Sequence, residues 1–137
     1  MQITSALLCD FAQIREGLLF IASGGITRLN VLVFPSPFQL TLAGMVEIYP
    51  TEIDQIHEVR ISVANAAEAE ELGYAVGALK PEVSKGLLRG ESIMMPLIVP
   101  LSPIILHMPG AHDVRISVDG ELAGHLTCYV HQIVQQE

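Results

Sequence analysis

The chain has 137 residues, a length typical of one domain, and half of them are apolar while only 16% are charged. The net charge is −8 and the seven basic residues are scattered, so we expect neither a nucleic-acid partner nor adsorption to an anionic membrane. The mean hydropathy of +0.47 favours strands covered on both faces, or apolar surface covered by a second copy or another protein.

The first residues do not resemble a secretion signal, because Asp10, Arg15 and Glu16 interrupt the apolar residues. No apolar run approaches the roughly 20 residues that cross a bilayer as a helix, so the expected location is cytoplasmic. The only cysteines, Cys9 and Cys128, both lie in apolar segments. We expect two buried free thiols, although the sequence leaves a disulfide between them open.

Alternating and apolar segments predict strands in the first quarter of the chain. Ile3–Ala12 alternates, and Leu18–Ala22 is a short, wholly apolar run of the kind found in the interior of a sheet. Gly24 and Gly25 follow it, and paired glycines within a strand pattern indicate a bulge or a close backbone approach. Extended structure then resumes over Ile26–Val33.

The middle of the chain predicts further strands with few interruptions. Phe38–Tyr49 and Ile56–Ala64 alternate between apolar and polar side chains. The Ala- and Glu-rich segment Asn65–Glu71 is too short for a stable isolated helix, so it is either one helical turn or a mobile insert. Tyr74–Leu79 is predicted as an edge strand. Ile93–Leu101 contains two prolines, which cannot donate to a ladder, so we expect this segment to lie at an edge or to kink.

The last third of the chain contains a hairpin, His112–Val130. A loop of three residues, Val118–Gly120, with Gly120 in the left-handed region, keeps apolar side chains opposite one another, whereas a two-residue turn mixes the faces. We therefore expect the longer loop with a glycine bulge. The buried face of the second strand would then consist of Leu122, Leu126, Cys128 and Val130.

Eight or nine short strands, separated by turn signals about every ten residues, are typical of an all-β protein. The predicted fold is one domain over residues 1–137, an antiparallel β-sandwich of about eight strands, immunoglobulin-like or related. A β-barrel is the alternative.

Two segments also resemble a known family. LLCDFAQIREGLLFIASGGITRL (Leu7–Leu29) and PGAHDVRISVDGELAG (Pro109–Gly124) are similar to the opening and closing segments of a family of uncharacterised bacterial proteins, often actinobacterial. The resemblance implies a single-domain protein of unknown function, and it implies no catalytic residue and no cofactor.

The histidines suggest one candidate for a ligand site. In the expected hairpin register Asp113 faces His125, and His107 and His112 lie around the preceding turn. A zinc site needs three or four such ligands that converge, but no paired ligand spacing supports one. Surface histidines are the simpler interpretation, and a surface that responds to pH near 6 is the more plausible function for a cluster.

Asp10 is the one acidic residue within an apolar strand, and Arg28 is the basic residue that follows the double glycine. A buried carboxylate needs a partner, so we expect Asp10 to pair with Arg28 or with nearby amides and to hold the first strands together. No nucleophile motif is present. We therefore expect a protein that is not an enzyme, acts by self-association or contact with a protein partner, and needs no cofactor or metal. The alternative is a small-ligand or metal site, with or without enzymatic activity, at the histidines and Asp113.

Overall fold

A computed structural model of the chain describes residues 1–82 and 86–134, and this part contains twelve strands, one short 3-10 turn (Pro50–Glu52) and no α-helix. The strands are β1 (Gln2–Cys9), β2 (Phe11–Arg15), β3 (Leu18–Ala22), β4 (Arg28–Val31), β5 (Ser36–Pro37), β6 (Thr41–Ile48), β7 (His57–Asn65), β8 (Glu71–Leu79), β9 (Ile93–Pro100), β10 (Ile105–Leu106), β11 (Gly110–Val118) and β12 (Glu121–Gln132).

The strands form two main sheets and two small ribbons. One sheet has three antiparallel strands in the order β1-β6-β9, and the other has five in the order β4-β12-β11-β7-β8. All pairs are antiparallel except β12 with β4. The ribbons are β2–β3 and β5–β10.

A single hydrophobic core receives side chains from both main sheets, because one face of each central strand is apolar at every second position. These residues include Leu42, Val46 and Ile48 of β6, Val59, Ile61 and Val63 of β7, and Val114, Ile116 and Val118 of β11.

The two sheets are joined along one side and open along the other. On the joined side, the N–H groups of Gly25 and Ile26 donate to the carbonyl of Leu8 in β1, at 2.9 and 3.0 Å. The next residue, Thr27, connects this segment to the other sheet, because its carbonyl accepts from the N–H of Tyr129 in β12, at 2.8 Å. On the other side, β8 and β9 are edge strands, and nothing in residues 1–82 and 86–134 pairs one with the other.

The all-β prediction is confirmed, and several strands lie where the pattern of side chains put them. Phe38, Leu40 and the inward residues of β6 are buried, as are those of β7. The segments predicted as edges, Tyr74–Leu79 and Ile93–Leu101, correspond to β8 and β9.

Two expectations about the first half of the chain need correction. The strand predicted over Ile3–Ala12 is broken at Asp10 into β1 and β2. Leu18–Ala22 is a strand with the expected bounds, but it lies in the exposed β2–β3 hairpin and not in the interior. Asn65–Glu71, expected to be one helical turn or a mobile insert, contains a single turn in which the N–H of Ala69 donates to the carbonyl of Asn65 at 2.8 Å. The side chain of Asn65 accepts from the N–H of Ala67 at 2.9 Å.

The expected loop of the last hairpin is also wrong. Asp119 and Gly120 both have positive φ (49° and 85°) and form a two-residue turn, with Val118 opposite Glu121. The extra residue lies further along, in a bulge at which Ile116 pairs with Gly124. This bulge returns the apolar residues to one face, as the longer loop would have done. Leu122 precedes the bulge, and it is 65% exposed instead of buried.

Gly44, in the middle of β6, generates a prediction about the fold. A Cβ there would lie 2.5 Å from the backbone carbonyl oxygen of Ser5. Gly44→Ala should therefore lower the free energy of unfolding, by roughly 1–3 kcal/mol as in other overpacked sites, measured by urea unfolding. Gly77→Ala is the matched control, since nothing lies within 4 Å of a Cβ at Gly77. Equal stability of the two variants would contradict the close approach of β1 and β6.

Candidate functional site

The β2–β3 hairpin is the first feature that can carry a function. Its turn consists of Glu16 and Gly17, whose positive φ angles (53° and 75°) suit a tight two-residue connection. Arg15 pairs with Leu18 directly beside the turn. Because directly opposite residues of antiparallel strands share a face, this register sorts the hairpin's side chains into two faces.

One face of the hairpin is turned toward the body of the protein. It carries Ala12, Ile14, Leu19 and Ile21, of which Ile14 and Ile21 remain 47% and 38% exposed, and β2 lies against β6 and β9. The chain leaves the hairpin through Gly24, where a Cβ would be 2.9 Å from Cγ2 of Ile21 and 3.3 Å from Cδ1 of Leu7. The glycine at this position therefore allows the hairpin and β1 to approach. Gly25 follows with φ of +88°.

The other face of the hairpin points away from the body, and its large apolar side chains lie beside Gln13 and Arg15, which are opposite Phe20 and Leu18. Phe11, Leu18 and Phe20 lie on it, with 57%, 63% and 50% of their surface exposed. Two-stranded hairpins are only marginally stable alone in water, and exposed groups of large apolar side chains commonly mark contact surfaces. We call Phe11, Leu18 and Phe20 the hairpin face.

An apolar cleft of about 360 Å³ lies between the free edges of β8 and β9. Residues Ala75–Leu79 form one wall, Pro96–Pro100 form the other, and Ile14 of the hairpin borders it. The cleft is where the curled sheets remain open. The described lining includes no ionisable side chain, so the cleft suits apolar contact rather than acid–base chemistry.

A buried histidine forms the most specific polar arrangement in the described structure. His57 begins β7 on its inward face, with Nδ1 2.7 Å from Oδ2 of Asp119 and Nε2 2.8 Å from the carbonyl oxygen of Glu52. Both partners only accept hydrogen bonds, so His57 satisfies both when each ring nitrogen carries a proton. Asp119 is also held by the N–H of Glu58, which donates to Oδ1 at 2.9 Å.

These contacts shift two titrations in opposite directions. The hydrogen bond to Asp119 and then the bond to the Glu52 carbonyl raise the pKa of His57 above 6.5, against the opposing effect of burial. The hydrogen bond from His57 and then the N–H of Glu58 lower the pKa of Asp119 below 3.8. Because both ring nitrogens are engaged, neither is free to take a proton from a substrate. The pair fastens the 3-10 turn and β7 to the last hairpin.

The histidines proposed for a ligand site do not converge. In the observed register Asp113 faces Thr127, not His125 as expected, and His125 faces Arg115. His125 nevertheless reaches Asp113 diagonally on the outward face of the five-stranded sheet, with Nε2 3.1 Å from Oδ1. His112 is on the opposite, buried face, where Nδ1 donates to the carbonyl of Gly110 at 2.9 Å and Nε2 has no hydrogen-bond partner. His107 is exposed beside the turn that follows β7.

Asp10 and Arg28 are both exposed, and within the described ranges they form no ion pair with each other. The expected burial of Asp10 is therefore wrong, because the chain bends outward into the hairpin at this residue. Cys9 and Cys128 are buried free thiols, as expected. Burial raises the pKa of Cys128 to about 11, which keeps its thiol protonated and unreactive near neutral pH.

Residues 1–82 and 86–134 contain no group of three or more histidine, cysteine, aspartate or glutamate side chains that could hold a metal ion. The same residues include no helix with the length and apolar content of a membrane span.

Sequence reasoning missed both His57 and the exposure of the hairpin. His57 occupies the same alternate positions of its strand as Val59, Ile61 and Val63, and therefore points to the same face. This spacing was a usable signal that His57 is buried. The acceptor, Asp119, was assigned only to a turn, and nothing in the sequence places that turn beside β7. The hairpin face escaped notice because an apolar strand on the surface has the same composition as one in the interior.

The described structure thus defines an all-β protein whose polar pairs join strands and whose outstanding surface features are apolar. The chain belongs to a family of unknown function, DUF6941, whose family model matches residues 4–131. The expected membership of an uncharacterised family is confirmed. No curated protein matches the chain.

One solved structure with partial similarity is an alkylpurine DNA glycosylase of Pseudomonas fluorescens, bound to DNA containing an abasic site analogue. The sequence identity is 14% and the TM-score is 0.42, over 77% of this chain and 28% of that one. The chain thus spans less than a third of the length of the glycosylase.

The His57–Asp119 pair generates a prediction about pH. The raised pKa of His57 means that its stabilising contribution is full below pH 6.5 and is lost as the pH rises through the higher folded value. The lowered pKa of Asp119 means that its contribution is present above pH 3.8 and is lost as the pH falls through the lower folded value. The pair should therefore stabilise the fold most between pH 3.8 and pH 6.5.

The measurement is urea unfolding of the natural chain and of His57→Gln at pH values from 5 to 9. The difference in the free energy of unfolding between the two chains should shrink as the pH rises above 6.5. Glutamine cannot become positively charged, so the comparison cancels the titration of other groups. A difference that is constant over this range would show that folding does not shift the pKa of His57, and it would contradict the prediction.

Proposed function

We propose that the protein is a non-catalytic β-sandwich module that acts by binding another protein through the hairpin face. The observation that carries the proposal is the outward exposure of Phe11, Leu18 and Phe20 on a two-stranded ribbon. Aromatic side chains bury large areas at interfaces and lose little rotamer entropy, so they often contribute most of the binding energy.

The shape of the hairpin supports this role. Its inward face is attached to the body by packing beside Gly24 and by the contact of β2 with β6 and β9. The outward face is therefore presented on a support that limits its motion, which reduces the entropy lost on binding. Arg15 and Glu16 at the tip are exposed and charged, and they suit the polar rim that surrounds the apolar centre of an interface.

The polar and titratable groups support three further parts of the proposal: the non-catalytic role, the cytoplasmic location and the classes of partner that are excluded. A non-catalytic role is supported by the engagement of both ring nitrogens of His57 and by the protonated thiol of Cys128. A cytoplasmic location is supported by the two free thiols, since disulfides are rare there. The net charge of −8 argues against nucleic acid and anionic membranes as partners.

Photo-crosslinking in the native cell tests the proposal. A photoreactive phenylalanine analogue in place of Phe20 should give one adduct of defined mass, because a bound partner covers this position. Leu88 is the matched control, since it is 75% exposed and lies outside the hairpin. The Phe20 adduct should disappear when Phe11→Asp is added, since a charge would then have to be desolvated within the contact.

Three results would contradict the proposal: no adduct from position 20, the same adducts from position 88, or an adduct that is insensitive to Phe11→Asp. An adduct with twice the mass of the chain would identify the partner as a second copy.

A further inference from the structure

The outer edge of β8 carries an inference that is independent of the hairpin face. β8 ends the five-stranded sheet, and no strand in residues 1–82 and 86–134 pairs with its outer side. In an edge strand, every second residue directs its N–H and C=O groups away from the sheet. Such an edge is a template for another strand unless charges, prolines, bulges or a covering segment block it.

The two strands that border the cleft differ in their ability to pair with an added strand. β9 contains Pro96 and Pro100, neither of which has an N–H to donate to an added strand. In β8, the charged residue Glu71 and a bulge between Glu71 and Gly73 lie at the start of the strand. The rest of the strand, Gly73–Leu79 (GYAVGAL), includes neither a proline nor a charged residue. Tyr74 and Val76 are 60% and 52% exposed on the outward side of this strand. The free edge at which a strand can be added is therefore β8.

We propose that β8 pairs in antiparallel fashion with β8 of a second copy of the chain, so that two five-stranded sheets become one continuous sheet across a two-fold axis. Side chains that are directly opposite in such a pair lie on the same face. With Ala75 on the axis, Ala75 faces its own counterpart, and Tyr74 of each chain faces Val76 of the other.

The side chains around this axis are self-complementary. Tyr74 opposite Val76 is a pair of an aromatic and a β-branched residue, a combination that stabilises antiparallel sheets, and symmetry forms it twice. Tyr74 is already ordered by Arg60, whose guanidinium lies 4.5 Å from the centre of the ring. The pair therefore forms with less loss of side-chain entropy than two free side chains would require.

The ends of the paired segment are complementary in charge. Glu70 lies directly before β8 and Lys80 directly after it, and both are exposed. Because β8 has a bulge between Glu71 and Gly73, the antiparallel arrangement brings Glu70 of each chain beside Lys80 of the other rather than directly opposite it, and the long side chains can form two ion pairs across the interface. In the described residues neither side chain forms an ion pair within its own chain. This complementarity favours a second copy over an unrelated strand.

Light scattering coupled to size-exclusion chromatography, over a tenfold range of concentration, tests the proposal with the full chain. The natural chain should have twice the chain mass of 14.8 kDa. Val76→Lys should produce monomers, because each lysine would face Tyr74 and Arg60 of the other copy. Val76→Thr, which keeps a β-branched side chain, should remain dimeric. A monomeric natural chain, or a dimeric Val76→Lys, would overturn the proposal.

A charge exchange tests the register and avoids the risk that a variant within the strand fails to fold. Glu70→Lys should weaken the dimer about tenfold, because it replaces two attractive pairs with two repulsive ones. Glu70→Lys together with Lys80→Glu should restore the natural dissociation constant. An unchanged dimer in the single variant, or no recovery in the double variant, would overturn the pairing of β8 with β8.

A third comparison distinguishes a dimer formed through β8 from one formed through the hairpin face. Phe11→Asp should leave the mass of the natural chain at two copies. If Phe11→Asp and not Val76→Lys abolishes the dimer, the second copy binds the hairpin face and the inference about β8 is wrong.

Discussion

The rest of the structure depends on the burial of one core by two sheets. The inward side chains of β6, β7 and β11 meet there, and each of these strands can turn only one face inward. Since a slip of one residue would expose every buried side chain of a strand, the core determines the registers. It also determines which surfaces remain for function, namely the outward faces, the unpaired edges and the segments between strands.

Strands that alternate between apolar and polar residues were predictable for this reason. In β7, Val59, Ile61 and Val63 are buried, as their spacing predicts. Apolar residues at every second position indicate a strand with one buried face, because successive side chains point to opposite faces. Leu18–Ala22 has no alternation, and both its bounds and its strand character were nevertheless predicted. Its environment was not, because a wholly apolar run does not show whether the strand lies in the interior or on the surface, and β3 is largely exposed.

The last hairpin shows a second limit. The requirement that apolar residues share a face has two solutions, a three-residue loop or a two-residue turn followed by a bulge. The chain adopts the second, with Ala123 as the extra residue between the pairs Ser117–Leu122 and Ile116–Gly124. Asp119 then enters the left-handed region and directs its carboxylate at His57. A local choice between two turns thus determines a contact between elements that are distant in sequence, and local patterns alone do not reveal it.

The apolar content of the chain can now be divided between the core and the surface. A core shared by two sheets accounts for the inward residues of the central strands, but it does not account for Phe11, Leu18 and Phe20, or for Tyr74 and Val76. These two groups lie on different elements, a ribbon outside the main sheets and the edge of one of them. An aromatic face recognises a partner by shape and burial, whereas a free edge recognises a strand by backbone hydrogen bonds. The two surfaces are therefore suited to different contacts. A dimer joined through β8 would present two hairpin faces. A partner with two binding sites would then bind more tightly, because its second contact would form within the same complex.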